Sequence, residues 1–335
     1  MSHDIYGDDD PWGTGTPRVL SGPGDDTDAA AYAVTELDDI TPLDAQMGVA
    51  EKRTVPDALA PYVFGGAPGR ITYAILDAAK VSGLAETLEN SDLPHDCLFA
   101  NADDLGAVAP WLVQFEPDAA LTRNLFTRAN GPPALWDADA GVLLRSGMAL
   151  PALRAHLRRF TMVQTDAPEP VFFRFWDPRV MARYLGRHSD SARDHVRALL
   201  GDGDMIAIDR HNDRAVHAAS RAPEASVPQV WPDLHADLAP IRLEIFCEDL
   251  ADRIATVIPQ LADVPRAERR ETITALVHAA RRIDLRANKS VERYCYATLM
   301  IGQQPETDPR FAELLQSDRH ELDRSRLMLK RAKDL

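Results

Sequence analysis

Few residues in this sequence have the types and spacing of a catalytic or metal-binding site. His211-Asn212-Asp213 is a tight cluster of His, Asn and Asp side chains. A catalytic or metal site here would need a second histidine or a further carboxylate directed at the same centre, and the sequence pattern does not indicate one. An Asn-Asp turn after the predicted strand Met205–Ile208 accounts for the same residues. We therefore expect a turn at this position.

A basic cluster surrounds His156, which stands beside Arg154, Arg158 and Arg159 in the segment Leu150–Phe160. Several cations around one histidine are typical of a phosphate-binding site. The segment also has apolar residues at helical spacing, so the same cations fit the solvated face of an amphipathic helix. We favour the helix face.

Three carboxylates, those of Asp166, Glu169 and Asp177, are the nearest approach to an acid/base pair. The predicted strand Val171–Trp176 separates the first two from the third by roughly 20 Å, at ~3.3 Å per residue. General acid/base catalysis needs groups that reach the same reacting centre. These carboxylates are therefore not expected to act together.

Other signatures of chemistry do not occur in the sequence. It has no phosphate-binding loop motif, no HExxH, no GxSxG and no paired Cys motif. The glycine-rich stretch at 65–69 precedes a predicted strand, so it is expected to be a surface turn. Cys97, Cys247 and Cys295 match no metal or disulfide spacing and are expected to be buried free thiols. We expect no catalytic residue, no metal and no cofactor, and hence no enzyme.

Charge is unevenly distributed along the 335 residues, whose formal net charge is −15. Residues 1–58 contain thirteen Asp or Glu against three Lys or Arg, a net of −10. Because large apolar side chains are few there, we expect a disordered acidic tail that is dispensable for folding, with at most a short helix over Ala29–Leu37. The negative field disfavours nucleic acid and anionic lipid as partners.

Composition places the chain among soluble globular proteins, with 45% apolar and 27% charged residues. No stretch reaches the ~18 apolar residues of a membrane span, and residues 1–13 lack a signal-peptide pattern. The sequence therefore predicts a cytoplasmic protein.

Residues 59–222 alternate between strand and helix patterns and are expected to form a mixed α/β lobe with a central sheet. Strands are predicted over 71–76, 111–115, 141–146 and 205–208, and helices over 82–90, 150–160 and 189–200. Phe160–Thr165 and Val171–Trp176 are predicted to form a hairpin with a five-residue loop.

The segment Val171–Trp176 is apolar on both faces except for Arg174, which is typical of a central strand. Asp177 and Pro178 then predict a helix start, as its N-cap and its first residue. A buried Arg174 would need an ionic partner, because an unpaired buried charge is costly. Asp77, at the end of the predicted strand 71–76, is a candidate.

Residues 223–240 contain four prolines and are expected to be a linker. Residues 241–335 show no strand pattern, and their apolar residues recur at helical spacing. Helices are predicted around 243–261, 273–283, 291–299, 309–316 and 318–333. The expected fold class is α+β, with the α/β lobe followed by an all-α helical lobe.

Leu153–Leu185 carries the most informative pattern, LRAHLRRFTMVQTDAPEPVFFRFWDPRVMARYL. It resembles the type VI secretion adaptor-chaperone family (domain of unknown function 4123), whose hallmark is an aromatic-Arg-Phe-aromatic-Asp-Pro-Arg run. The matching residues, called the hallmark motif below, are Phe173, Arg174, Phe175, Trp176, Asp177, Pro178 and Arg179. Trp176 stands where the family more often has Tyr.

Two upstream segments also resemble this family. Tyr73–Ala79 is similar to its opening strand, and Ala109–Val113 is similar to its segment with a Pro followed by Leu-Val. The resemblance covers about residues 70–186, in the expected order. The acidic residues 1–58 are outside the family pattern.

The resemblance implies a carrier without catalytic residues, which binds a secreted effector and hands it to the valine-glycine repeat (VgrG) spike and its PAAR tip. Two alternatives stay open: an immunity protein that neutralises a toxin, and an enzyme of unrecognised type, such as a hydrolase using His156 or His211.

The roles of individual residues are also expectations at this point. Phe173, Phe175 and Trp176 are expected to be core residues first, with direct contact to the spike or effector as the alternative. In the helical lobe, Tyr294, Tyr296 and Met300 are candidate effector-binding residues, because aromatic and Met side chains are enriched at such surfaces.

Overall fold

The computed structural model describes residues 32–66, 68–99, 105–166, 168–187, 189–220 and 230–335. The chain divides into two compact units that adjoin in the sequence between Asp237 and Leu238. The first contains an antiparallel sheet with helices, and the second is helical, so the expected α+β class is confirmed.

A seven-stranded antiparallel sheet forms the centre of the first unit, in the order β1-β9-β8-β5-β2-β4-β3. Its strands are β1 (Tyr32–Leu37), β2 (Ile71–Asp77), β3 (His95–Cys97), β4 (Pro110–Gln114), β5 (Gly141–Ser146), β8 (Asp204–Asp209) and β9 (Arg214–Ser220), while β6 (Met162–Val163) and β7 (Val171–Phe172) form a separate hairpin. The four strands predicted within 71–208 are confirmed.

The central strands are buried on both faces, which explains their continuous apolar runs. Successive side chains alternate between the faces, and paired residues share one face. Ala74, Leu143 and Ile206 are aligned across β2, β5 and β8 on one face, and Tyr73, Leu144 and Met205 on the other, all of them buried.

Helices cover this sheet and the segments between its strands. They are α1 (Ala60–Val63), α2 (Leu84–Glu89), α3 (Ala120–Phe126), α4 (Leu150–Arg158), α5 (Pro178–Tyr184) and α6 (Asp190–Leu200). The three predicted helices correspond to α2, α4 and α6, and Ser189 caps α6 by accepting a hydrogen bond from the backbone of Ala192.

The tail prediction is wrong for the part that the structure describes, residues 32–58. Residues Tyr32–Leu37, within the predicted helix Ala29–Leu37, form the edge strand β1, which pairs with β9 from Tyr32↔Ser220 to Leu37↔Ala215. Ile40 and Val55 are buried in the core. Backbone pairing with a strand far along the chain and a few well-placed apolar residues are sufficient to order this acidic segment. Residues 1–31 lie outside the described residues.

The predicted hairpin is confirmed, but its second strand is shorter than expected. β6 pairs with β7 in antiparallel register, with Met162 opposite Phe172 and Val163 opposite Val171. β7 ends at Phe172, so the prediction of a central strand over Val171–Trp176 is wrong. A run that is apolar on both faces also fits a turn buried among aromatic side chains, and the chain forms such a turn directly after β7.

The second unit is an assembly of helices around its own apolar core. Its helices are α7 (Leu234–Val257, whose first four residues belong to the first unit), α8 (Pro259–Ala262), α9 (Arg266–Arg282), α10 (Asn288–Ile301), α11 (Ala312–Leu315) and α12 (Glu321–Lys333), with 3₁₀ turns at Pro305–Thr307 and Pro309–Phe311. Cys247 and Cys295 lie in this core, and all three cysteines are buried free thiols, as expected.

Helix α7 begins inside the segment 223–240 that was predicted to be a linker, so residues 234–240 are helical instead. Leu234, Leu238 and Ile241 recur at helical spacing and are buried, and their burial outweighs the backbone hydrogen bond that Pro240 removes. Among the described residues, no helix combines the length and apolar character that crossing a membrane requires.

Candidate functional site

The hallmark motif forms a turn that reverses the chain between β7 and α5. The backbone N–H of Asp177 donates to the carbonyl oxygen of Arg174 at 3.0 Å and closes the turn. The Asp177 carboxylate accepts from the backbone N–H groups of Arg179 and Val180 at 3.1 and 3.2 Å. With Pro178 at the first helical position, the predicted helix start is confirmed.

One buried carboxylate, that of Asp77 at the end of β2, fastens this turn to the sheet. Its Oδ2 accepts from Arg174 Nη2 at 2.6 Å and from Trp176 Nε1 at 3.2 Å, and its Oδ1 accepts from the backbone N–H of Ala79 at 3.0 Å. The predicted pairing of Arg174 with Asp77 is confirmed. The carboxylate therefore joins two parts of the chain that are 97 residues apart.

The aromatic side chains of the hallmark motif are buried, whereas the residue just before it is exposed. Phe173, Phe175 and Trp176 are at most 2% exposed, and Phe172 is 41% exposed. Trp176 is in edge contact with Phe172 and Phe175, at centroid distances of 5.5 and 5.3 Å. Such pairs stabilise beyond their buried area. The buried rings of the motif thus support an aromatic side chain at the surface.

The aromatic cluster continues inward to His195, whose ring stacks on Trp231 at a centroid distance of 4.0 Å. Phe173 contacts both Trp231 and Tyr184, each at 5.8 Å. The Tyr184 hydroxyl lies 3.0 Å from His195 Nδ1 and donates to it when that nitrogen carries no proton. Burial lowers the pKa of His195 from its ordinary value of 6.5 to about 4.

This depressed pKa predicts that acid weakens the fold. Between pH 6.5 and 4 the unfolded chain binds a proton at His195 and the folded chain does not, so stability contributed by the neutral ring is present above pH 6.5 and lost as the pH falls toward 4. We expect the difference in melting temperature between pH 7 and pH 5 to be smaller in His195→Gln than in the wild type. Replacing the exposed His278 by Gln is the control. An unchanged difference in His195→Gln would contradict a buried neutral histidine.

A buried arginine directly follows the end of β8. Arg210 is 5% exposed, its guanidinium lies over the Trp136 ring at 5.0 Å, and its Nη1 is 3.8 Å from Oδ1 of Asp139. Burial lowers the pKa of Arg210 to about 10, so it stays charged at neutral pH. None of its side-chain nitrogens has a hydrogen-bond partner among the described residues.

Charges of the hallmark motif act on this same region. Burial raises the pKa of Asp139, and the cations Arg210, Arg179 and Lys80 oppose that rise, whereas Asp177 adds to it. The turn and the Arg210 region are therefore electrostatically coupled.

Since Arg210 is a desolvated cation with one long ion pair, replacing it by an apolar side chain of similar length should not harm the fold. We expect Arg210→Met to keep the melting temperature of the wild type or to raise it. Thermal unfolding measures this, with Arg145→Met as a contrast, because Arg145 donates to buried Asp204 at 3.0 and 3.2 Å. A large loss of stability in Arg210→Met, comparable to that in Arg145→Met, would show that Arg210 is a structural cation.

The basic cluster around His156 is engaged within the fold. His156 Nε2 donates to the Leu199 carbonyl oxygen at 2.8 Å, and Arg159 Nη2 donates to His156 Nδ1 at 2.7 Å. Arg154 Nε donates to the Cys97 carbonyl oxygen at 2.6 Å and lies 3.1 Å from Asp96. Burial, with a smaller contribution from Arg159, lowers the pKa of His156. The expected helix is confirmed, but Arg154 and His156 are half-buried and bonded to the rest of the fold, so they do not lie on a fully solvated face.

The other sequence candidates lie apart from the hallmark motif. His211-Asn212-Asp213 forms the turn between β8 and β9, as predicted. Asp166 and Glu169 are exposed in the β6–β7 loop, while Asp177 caps α5. Within the described ranges, no group of three His, Cys, Asp or Glu side chains is arranged to hold a metal ion.

Of the candidate effector-binding residues on α10, only Met300 is exposed, at 43%. Tyr294 is fully buried and its hydroxyl donates to Glu306 at 2.9 Å, and Tyr296 is partly buried against the helical core.

Sequence reasoning did not find Arg210, Asp139 or Trp136 as neighbours. No local pattern marks them, because Asp139 and Arg210 belong to segments about seventy residues apart that adjoin through the β5–β8 pairing. The Met162–Phe172 pair was also missed as a surface feature, although the predicted hairpin contained both residues.

A family model described as Domain of unknown function (DUF4123) matches residues 72–195. The match contains β2 apart from its first residue, β4, β5, the β6–β7 hairpin and the whole hallmark motif. Neither the curated proteins nor the solved structures contain a match to this chain.

Proposed function

We propose that this protein is a type VI secretion adaptor-chaperone, which binds a cognate effector in the cytoplasm and loads it onto the VgrG spike and its PAAR tip. The observation that carries this proposal is the family-model match over residues 72–195, since it contains all three motifs whose order resembles that adaptor family. In this role the protein binds other proteins, has no catalytic residues and needs no cofactor, nucleic acid or membrane.

The geometry of the hallmark motif supports a binding role. The carboxylates of Asp77 and Asp177 accept hydrogen bonds from within the fold, where they position the turn. This turn also supports the exposed Phe172, because Trp176 packs against the Phe172 ring. A rigid aromatic anchor with a supporting shell is a feature of protein-binding surfaces.

The two compact units suit two different partners. The α/β unit carries the motifs that resemble the family. A unit with shared motifs is suited to binding the partner that such systems have in common, the spike. The helical unit has no such motif, and its α10 presents Met300, which fits the effector that differs in each system.

The test is export of the cargo from the native cell. The full chain, tagged at its C-terminus, is used to capture partners, and the captured effector is then followed in the medium of a strain that lacks this protein. We expect the exported effector to fall at least tenfold in that strain and to return when the wild-type chain is supplied, while export of the spike continues.

Unchanged export of the captured effector in the deletion strain would reject the adaptor role. Growth inhibition of the deletion strain by its wild-type siblings, with export unchanged, would identify an immunity protein instead.

A further inference from the structure

The β6–β7 hairpin presents three apolar side chains on a single face. Met162 and Phe172 are directly opposite each other, and paired residues share a face of the sheet. Gln164, two residues after Met162, forms a parallel bridge with Val230, which places Val230 on that face as well. Met162, Phe172 and Val230 are 51%, 41% and 46% exposed.

The opposite face of the same hairpin is the core side. Val163 and Phe173, each adjacent to one of the exposed residues, are 4% and 1% exposed, and Trp231, next to Val230, is 1% exposed. Exposed and buried side chains thus alternate at Met162–Val163, Phe172–Phe173 and Val230–Trp231, so the three exposed side chains form one surface. We call Met162, Phe172 and Val230 the hairpin face.

One edge of the hairpin, that of β7, has no strand partner among the described residues. The N–H of Phe173 donates to the carbonyl oxygen of Thr161, which makes that pair hydrogen-bonded and the next pair, Met162 and Phe172, non-hydrogen-bonded. The N–H and C=O of Phe172 consequently point away from β6. In the described part of the chain, no strand pairs with β7 on that side.

The negative charge of the β6–β7 loop favours a partner segment that carries a positive charge. Asp166 and Glu169 are exposed there and have no ion-pair partner among the residues described. Pro170 has no N–H, so pairing along the edge is confined to the Phe172 position. The edge suits a short extended segment and does not offer a long template for nonspecific strand pairing.

We propose that the hairpin face receives an extended segment of the VgrG spike, with apolar side chains at alternate positions and a Lys or Arg that reaches Asp166 or Glu169. The segment exchanges two backbone hydrogen bonds with Phe172 and covers the hairpin face, as in recognition by strand addition. This inference rests on the proposed function, which assigns the spike to the α/β unit, and it identifies the surface and the class of segment that binds there.

The test measures binding of the purified spike from the same cell to the full chain, with and without its captured effector. We expect Phe172→Lys to weaken binding at least tenfold, because it places a charge in the centre of the apolar contact. Val257→Lys, at an exposed apolar position of the helical unit, is the matched control and should bind as the wild type does. Circular dichroism verifies that both variants are folded.

A second measurement distinguishes strand addition from other contacts. The amide hydrogen of Phe172 should exchange more slowly in the complex, and Asp166→Lys with Glu169→Lys should weaken binding and reduce its dependence on salt. Equal binding by wild type and Phe172→Lys would overturn this inference and leave the adaptor role intact. Failure of the wild-type chain to bind the spike in either state would overturn both.

Discussion

Replacing Asp77 by alanine should destabilise the α/β unit more than any other single change of a charged residue in the hallmark region. Removal of the carboxylate leaves Arg174 and Trp176 Nε1 without the acceptor that they share, 2.6 and 3.2 Å away. The Arg174 side chain is 23% exposed, so the expected cost is at the lower end of that for breaking a buried ion pair, about 3 kcal/mol. This loss corresponds to a fall of roughly 6–12 °C in melting temperature.

The matched control is Asp57→Ala, which removes an ion pair with Arg53 at 2.7 Å whose side chains are 82% and 63% exposed. That change should cost less than about 1 kcal/mol, because water already solvates both groups. The double variant Asp77→Leu with Arg174→Met should recover most of the stability, since it removes both charges together. Additive losses from the two single changes would contradict a direct coupling between Asp77 and Arg174.

The second large effect concerns two phenylalanines that are three residues apart. Phe175 is fully buried, so Phe175→Ala should cost ~3–5 kcal/mol by leaving a cavity among Phe173, Trp176 and their neighbours. Phe172 is 41% exposed and packs on Trp176, so Phe172→Ala should cost less, about 1–2 kcal/mol. Denaturant unfolding of the two variants measures the difference.

Binding to the spike should distinguish the same two variants, because the variant with the smaller loss of stability should have the direct loss of affinity. Phe172→Ala should lose affinity for the spike while it keeps its fold, whereas any loss in Phe175→Ala should accompany its loss of structure. If Phe175→Ala were as stable as the wild type and yet failed to bind a partner, Phe175 would be a contact residue and its core role would be wrong.

Local patterns were sufficient for much of this protein. The strand β2, the helix start at Asp177-Pro178 and the helices of residues 241–335 were predicted because hydrophobic periodicity and capping residues act within a few positions of each other. The partner of Arg174 was also predicted, because a buried cation needs an acceptor and Asp77 ends a neighbouring strand.

For some segments, pairing with distant strands competes with the local conformational preference of the sequence. The conformation of these segments was determined only by the tertiary structure. Tyr32–Leu37 lies in an acidic segment, and it becomes a strand because β9, almost two hundred residues later, supplies its hydrogen bonds. Phe173–Trp176 fits a buried strand as well as a buried turn, and the hydrogen bonds to Asp77 select the turn. The burial of Arg210 over Trp136 and the alignment of Val230 with Met162 and Phe172 depend on pairings between distant segments, on which sequence periodicity carries no information.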